Sequence, residues 1–202
     1  AGVETVLMRQ PYGNSICVSS QVGCSMGCCF CASTLHGMVR SLTAGEMLAQ
    51  TMYINDLLAE EGQKVDTVVI MGSGEPLLNY ENVLKYIRIL HEDYCLGMSY
   101  RSITLSTSGI VPNIYRLAQE ELPVTLSISL HAPEDALRSE LMPVNMKYPL
   151  AEVVKAGREY GELTHRRVTY EYILIDGVND NLRQAKELTA LLRGQLAGVN
   201  LI

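Results

Sequence analysis

Three cysteines near the start of the chain are the residues best suited to carry chemistry. Cys24, Cys28 and Cys31 follow a C-x3-C-x2-C spacing, and the last of them follows the aromatic residue Phe30. Three thiolates on one short loop can ligate three irons of a [4Fe–4S] cluster and leave the fourth iron without a protein ligand. Clusters built for electron transfer use four protein ligands. The spacing therefore favours a catalytic cluster whose open iron binds a substrate or a cofactor.

Zinc is the alternative metal for the same cysteines. Structural zinc sites are closed by four ligands, and the spare candidates in this sequence are Cys29 and Cys17. The sequence contains no second C-x2-C pair and no H-x3-H pair downstream. The zinc interpretation is therefore weaker, and we expect Cys29 to be a packed thiol.

Composition and charge limit the class of protein. The chain has 202 residues, of which 48% are hydrophobic, and a net charge of −6. The acidic balance argues mildly against a nucleic-acid partner, because phosphate contacts require Lys and Arg. The sequence shows neither an apolar run of about 18 residues nor the pattern of a secretory signal. We expect no membrane span, and the clustered cysteines suit a metal in a reducing cytoplasm better than disulfides.

Strand-like and helix-like segments alternate along the chain. This alternation predicts an α/β fold of right-handed βαβ units with a parallel sheet, open or curled toward a barrel. A capping box at 43–46 predicts the start of the first long helix, and the final residue lies within a predicted strand, so we expect the chain to be a fragment. The predicted strands are 15–20, 65–71, 102–107, 124–130, 168–175 and 199–202.

Small and polar residues follow the predicted strands. Because the carboxyl ends of parallel strands meet at one edge of a sheet, we expect these residues to share that edge with the cysteine loop. The edge would suit a small polar cofactor that has an amino acid end and a ribose. The loop 72–76 taken alone is equally consistent with a tight turn. The segments concerned are 72–76, 106–109, 129–131 and 176–179.

Seven segments occur in an order that matches a known family. They are 16–34, 71–80, 105–109, 127–132, 142–145, 172–180 and 199–202. The cysteine motif alone is specific to a superfamily, whereas the ordered set is specific to a family. The set resembles the radical S-adenosylmethionine (radical SAM) RNA methyltransferases of the RlmN/Cfr family, is closest to the RlmN type, and covers essentially the whole chain.

The resemblance implies a fold and two cofactors. The fold would be the partial (β/α)6 TIM-like barrel of radical SAM enzymes. Cys24, Cys28 and Cys31 would ligate a [4Fe–4S] cluster, whose open iron would bind the amino and carboxylate groups of S-adenosylmethionine. Gly74 and Glu75 would contact that amino end. The residues expected to hold the rest of the cofactor are Ser106, Ser129, Leu130 and His131.

The resemblance also implies a reaction, the methylation of carbon 2 of an adenine in 23S rRNA and tRNA. One S-adenosylmethionine would methylate a cysteine near the C-terminus. A second would yield a 5′-deoxyadenosyl radical that takes a hydrogen from the new methyl group, and the resulting carbon radical would add to the base. Glu4 matches the family's proton acceptor, a role open to a positioned carboxylate, and Cys17 matches the thiol that resolves the protein–RNA adduct through a transient disulfide.

The resemblance places the chain within a longer protein. Residues 1–202 match the radical SAM core domain, whereas the N-terminal RNA-binding domain and the tail with the methyl-carrying cysteine have no counterpart in them. The implied partners are 23S rRNA, tRNA and an electron donor such as flavodoxin or ferredoxin. A monomer is expected.

Three alternative functions remain open at this point. A Cfr-type enzyme would methylate carbon 8 of adenine instead, although segments 32–34 and 144–149 favour the carbon 2 type by resemblance. Another radical SAM enzyme would act on a protein or a small molecule, which suits the acidic balance. A binding module stabilised by zinc or by a cluster would not be an enzyme.

Overall fold

A curled, mostly parallel sheet organises the chain. The computed structural model describes residues 2–202. The strands are β1 Val6–Gln10, β2 Gly13–Cys17, β3 Gln21–Gly23, β4 Met38–Ser41, β5 Thr67–Ile70, β6 Ile103–Thr107, β7 Thr125–Ser129, β8 Val168–Tyr172 and β9 Ala197–Leu201. The main sheet has the order β1-β2-β5-β6-β7-β8-β9, and β3 pairs separately with β4. From β2 to β9 neighbouring strands of this sheet run parallel, whereas β1 is antiparallel to β2.

Helices connect successive parallel strands. They are α1 Ala44–Ala59, α2 Tyr80–His91, α3 Val111–Ala118, α4 Asp135–Leu141, α5 Leu150–Thr164 and α6 Leu182–Leu191. The predicted capping box is confirmed at the start of α1, where the Thr43 side chain accepts from the Glu46 N–H and the Glu46 carboxylate accepts from the Thr43 N–H. None of the helices in 2–202 has the length and apolar character needed to span a bilayer.

The inner strands of the main sheet turn one face to the helices, and the other face of the sheet borders a central cavity. Ile16, Val68 and Leu105 are fully buried in the core shared with the helices. The residues next to them in sequence face a cavity of about 390 Å³. Its lining includes one residue from every strand of the sheet, Met8, Cys17, Val69, Thr104, Ser127, Glu171 and Asn200. Because all seven strands surround one space, the sheet is a partial barrel.

The predicted α/β partial barrel with six parallel strands is therefore confirmed. Two features were not predicted, the antiparallel strand β1 and the β3–β4 hairpin on either side of the cysteine loop. The first predicted strand, 15–20, is shifted, because β2 ends at Cys17. The residues that follow bond instead to the segment after β5, with the Ser20 N–H donating to the Ser73 carbonyl oxygen at 2.9 Å.

Gly72 lies where the segment after β5 crosses the end of β2. A Cβ at this position would be 2.6 Å from the Ser19 hydroxyl oxygen and 2.8 Å from the Ser19 backbone nitrogen. Backbone atoms cannot move aside as the end of a flexible side chain can. The two segments therefore approach this closely only with glycine at position 72.

We predict that Gly72→Ala lowers the free energy of unfolding by about 1–3 kcal/mol, the usual cost of overpacking. Gly45→Ala is the matched control, because a Cβ there meets only the Thr43 hydroxyl at 4.0 Å and alanine favours helix over glycine by roughly 0.5–1 kcal/mol. Urea denaturation of both variants measures the difference. Equal stabilities of the two variants would show that the crossing is not tightly packed.

Candidate cluster and cofactor site

The cysteine loop runs from the end of β3 to a short 3-10 turn at Ala32–Thr34. The Thr34 hydroxyl donates to the carbonyl oxygens of Cys31 at 2.8 Å and Cys28 at 3.3 Å. In the middle of the loop, the Cys29 N–H donates to the Leu141 carbonyl oxygen at the end of α4 at 3.0 Å. These bonds fix the loop against the edge of the barrel formed by the strand ends.

The structure brings the three predicted ligands to one cavity, the cluster cavity, which Cys24, Cys28 and Cys31 line. Cys24 is buried, Cys28 and Cys31 are half-buried, and Cys29 is exposed, so the expectation of a packed thiol at Cys29 is wrong. The predicted cofactor residues that line the same cavity are Gly74, Glu75, Ser106, Ser129 and His131. Convergence at the carboxyl ends of parallel strands brings these distant segments together.

The three thiols interact electrostatically. Burial, followed by repulsion from Cys24 and Cys31, raises the pKa of Cys28 to about 12. Burial also raises the pKa of Cys24. Thiolates that burial and mutual repulsion make costly are stabilised when they bind cationic iron, because a metal ligand must be deprotonated. The donor set therefore fits a cationic cluster.

A single metal ion needs ligands that converge on one point. Within residues 2–202 no three His, Cys, Asp or Glu side chains are grouped in that way. A [4Fe–4S] cluster does not need such a grouping, because its cysteines bind separate irons.

Glu75 joins two of the loops that line the cluster cavity through hydrogen bonds of its side chain. Its buried carboxylate accepts from the Leu77 N–H at 3.0 Å and from both the N–H and the hydroxyl of Ser108 at 2.7 Å. Burial raises the pKa of Glu75, although these hydrogen bonds oppose the rise. The carboxylate is thus engaged within the protein, while Gly74 and Glu75 both line the cluster cavity.

Gly74 allows the backbone at 74–75 to lie close to Gln21 at the start of β3. Its φ of +103° is in the region that favours glycine, and a Cβ would lie 2.5 Å from the Gln21 Cβ. The Gln21 side chain also accepts from the Glu75 N–H at 3.0 Å. The glycine therefore permits the turn that positions the 74–75 backbone at the cavity.

Segment 129–131 is divided between the cavity and the core. Ser129 and His131 line the cluster cavity, whereas the Leu130 side chain is fully buried in the core. The N–H groups of Leu130 and His131 both donate to the Glu171 carbonyl oxygen, at 3.0 and 3.2 Å. Leu130 is therefore the one predicted cofactor residue that does not line the cluster cavity, and its part in cofactor binding stays a prediction.

His131 is held as a neutral ring. Its Nδ1 accepts from the Ile173 N–H at 3.0 Å, and the Phe30 ring meets it edge-on with ring centroids 4.8 Å apart. Burial, followed by the positive charge of Arg138, lowers the pKa of His131 to about 4. A protonated ring could not accept the Ile173 hydrogen bond.

Cys17 and Glu4 lie at the same edge of the barrel, outside the lining of the cluster cavity. Cys17 lines the central cavity instead, and Met71 lines both cavities, so the two adjoin. Burial raises the pKa of Cys17. Val6 pairs with Cys17 in the β1–β2 register, and Glu4 precedes Val6 by two residues. Glu4 is exposed, and its carbonyl oxygen accepts from the Ser19 hydroxyl at 2.8 Å.

Sequence reasoning missed the roles of two buried charged residues. Arg138 is fully buried beside the site, although arginine is usually exposed. Glu171 is buried on the face that lines the central cavity, where it accepts from the Ser127 hydroxyl at 2.6 Å and from the Asn200 amide at 2.7 Å. The available signal for Glu171 was a carboxylate inside a predicted strand. The signal for Arg138 was its place between two of the matching segments.

We predict that His131→Asn reduces the loss of stability on acidification of the iron-free protein. The unfolded chain binds a proton on this group below pH 6.5, its ordinary pKa, whereas folded His131 binds one only near its lowered pKa of about 4. The stability due to the neutral ring is thus present above pH 6.5 and is lost as the pH falls to 4. The loss is on the order of 3 kcal/mol. Asparagine keeps an acceptor and tolerates the positive φ. Urea denaturation between pH 7 and 4 measures this, and parallel pH profiles for the two proteins would contradict it.

Comparison with known proteins agrees with this geometry. The model of the radical SAM superfamily matches residues 18–188. The chain is 60% identical over 200 residues to a probable dual-specificity RNA methyltransferase RlmN of Symbiobacterium thermophilum, with 99% of this chain and 54% of that protein covered. A similarly named protein of Carboxydothermus hydrogenoformans is 52% identical over 201 residues, which cover 100% of this chain and 58% of that protein.

Solved structures agree as well. A radical SAM methyltransferase from Sphaerobacter thermophilus superposes with a TM-score of 0.97 at 52% identity, covering 98% of this chain and 58% of that one. The chain thus spans a little over half the length of the relatives that it matches. Since the superfamily model covers most of the chain and the cysteine loop faces the predicted cavity, the chain belongs to the radical SAM superfamily.

Proposed function

We propose that this chain is the core of a radical SAM enzyme that methylates carbon 2 of an adenine in 23S rRNA and tRNA. The observation that carries the proposal is the identity of 60% over 200 residues with a relative named as a probable dual-specificity RNA methyltransferase. The shared cavity of the cysteine loop and the strand ends supports it independently. The names of the relatives favour this function over Cfr-type methylation of carbon 8.

The residues of the cluster cavity would hold the two cofactors. Cys24, Cys28 and Cys31 would bind three irons of a [4Fe–4S] cluster. S-adenosylmethionine would lie against the 74–75 backbone, Ser106 and the 129–131 segment. Bound together, these groups would supply a one-electron reduction that breaks a carbon–sulfur bond of the cofactor. Neutral His131, which lines the cavity, would add no positive charge to a site that binds a cationic cofactor.

Two further residues with proposed roles, Cys17 and Glu4, lie at or near the adjoining central cavity and not in the lining of the cluster cavity. Cys17 would serve as the resolving thiol. Its raised pKa keeps it protonated at neutral pH until a proton acceptor comes close. Glu4 would accept the proton from the base, and its exposed position lets it reach a substrate that enters at this edge. Met71 lines both cavities, so the thiol and the cluster would occupy adjoining spaces.

Parts of the longer relatives would complete the reaction. We propose that an RNA-binding domain and a segment with the methyl-carrying cysteine flank residues 1–202 in the whole protein. A basic surface on those parts would offset the charge of −6 against RNA phosphates. A flavodoxin or ferredoxin would donate electrons to a monomeric, cytoplasmic enzyme.

We predict that Cys28→Ala abolishes binding of the cluster, whereas Cys29→Ala does not. The first variant removes a thiol that lines the cavity, and the second removes an exposed thiol one residue away. Anaerobic reconstitution with iron and sulfide, followed by iron analysis and assay of reductive S-adenosylmethionine cleavage, measures both. A protein that holds one zinc ion, or that binds iron and sulfide but never cleaves the cofactor, would refute the proposed function.

We predict that Cys17→Ala, in a protein that also carries the flanking segments, leaves the cluster in place and stops RNA release. Without the resolving thiol, RNA should stay covalently attached to the protein, which denaturing gel electrophoresis detects. Cys95→Ala is the control, because Cys95 lines neither cavity. For the unaltered protein, mass spectrometry of digested RNA should show 2-methyladenosine. Formation of 8-methyladenosine would favour the Cfr type instead.

A further inference from the structure

Arg138 is a fully buried cation whose hydrogen-bond acceptors are all neutral. Its Nη2 donates to the carbonyl oxygens of Ser108 at 2.7 Å and Ser129 at 3.0 Å. Nε donates to the Leu130 carbonyl oxygen at 3.2 Å, and Nη1 donates to the Asn145 side-chain oxygen at 2.8 Å. In the part of the chain that the structure describes, Arg138 takes part in no ion pair.

Hydrogen bonds to neutral groups do not neutralise a buried charge. A charge removed from water is costly unless an opposite charge compensates it. Two carboxylates approach Arg138 only through another residue. Asp135 accepts from the Asn145 amide at 3.0 Å but is exposed, and Glu75 is bound to the far side of Ser108. Neither contacts the guanidinium, so within residues 2–202 no carboxylate forms a direct ion pair with it.

The cysteine loop packs against the segment that carries Arg138. Cys28 and Phe30 contact the small apolar cluster formed by Ala132, Leu141 and Met142. Burial lowers the pKa of Arg138 to about 10, and the ionised forms of Cys28 and then Asp135 oppose that shift because they favour the charged guanidinium. On ligation to iron the Cys28 thiol would become a thiolate, so an occupied cluster cavity would place negative charge beside the segment that carries this buried cation.

We propose that Arg138 is the countercharge of the thiolate-ligated cluster and makes that cluster easier to reduce. The inference rests on the proposed function, which supplies the cluster. A reduced cluster carries one more negative charge than an oxidised one, so a fixed neighbouring cation stabilises the reduced form more. Net charge and solvent exposure are among the factors that set cluster potentials. Arg138 is in this sense a positioning and tuning residue that need not touch the substrate.

The test is a redox titration of the reconstituted protein, followed by electron paramagnetic resonance in the absence of S-adenosylmethionine. Arg138→Met keeps length and removes charge, and it should shift the reduction equilibrium toward the oxidised cluster by about tenfold or more, which is ~59 mV for one electron. Arg138→Lys keeps the charge and should retain most of the original potential. Arg166→Met is the matched control, because Arg166 donates to Thr125 at the opposite end of β7. Its potential should not change.

A second variant keeps Arg138 in place in case Arg138→Met does not assemble a cluster. The double variant Asp135→Asn with Asn145→Asp preserves the net charge and moves a carboxylate to the position that bonds Nη1. It should lower the potential in the same direction as Arg138→Met.

The outcomes separate this inference from the proposed function. An unaltered protein that assembles no cluster overturns the proposed function. An unaltered protein with a normal cluster, whose potential is the same in Arg138→Met and the double variant, overturns only the role of Arg138. Equal shifts in Arg138→Met and Arg138→Lys also overturn it, because the guanidinium would then act through its hydrogen bonds and not its charge.

Discussion

Two buried charged side chains bind Ser108 from opposite sides, and the shape of the site depends on this arrangement. The Glu75 carboxylate accepts both the N–H and the hydroxyl of Ser108, while the Arg138 guanidinium donates to its carbonyl oxygen. These bonds join the segments that follow β5, β6 and β7. Because a buried polar group that loses its partner costs about 1–3 kcal/mol or more, the three segments cannot separate easily. The cavity that they line is therefore pre-formed by the protein.

The sequence predicted the parts of the fold that depend on local pattern. Buried parallel strands read as apolar runs and the helices as periodic ones, so the order of six parallel strands and the meeting of their carboxyl ends could be inferred. The antiparallel strand β1 could not be inferred from the sequence. Its residues are half-buried or exposed, which leaves no apolar pattern, and its place is set by pairing with β2.

The candidate metal ligands of the site could be predicted from the sequence, but the residues that hold its loops together could not. The spacing of Cys24, Cys28 and Cys31 identified the cluster loop, since the signal lies within eight residues. Arg138 became visible only in three dimensions, because its acceptors lie on segments up to 30 residues away in sequence. The position of Leu130 could not be predicted for the same reason: its side chain belongs to the core although its neighbours line the cavity. Long-range polar contacts of this kind leave no local pattern.

In the proposed function, the two adjoining cavities would keep two kinds of sulfur chemistry apart. In the sequence, Cys17 is a candidate fourth ligand for a metal, but the structure places it on the barrel interior, with Met71 bordering both spaces. A thiol that must form and break bonds with another sulfur is poorly served by capture on iron. The separation would let one edge of the barrel hold both the three ligand cysteines and a free thiol.

The two-residue turn between β1 and β2 has an effect far from where it lies. It joins Gln10 to its register partner Gly13, and six residues of extended chain, about 20 Å, separate it from Glu4. Side chains of a strand alternate between faces, so an odd-numbered insertion in this turn would swap inside for outside along all of β1, while an even-numbered one would preserve the parity. The hairpin tip thus sets the register of the strand that leads back to Glu4, two residues before β1, whose carbonyl oxygen is bonded to the Ser19 hydroxyl.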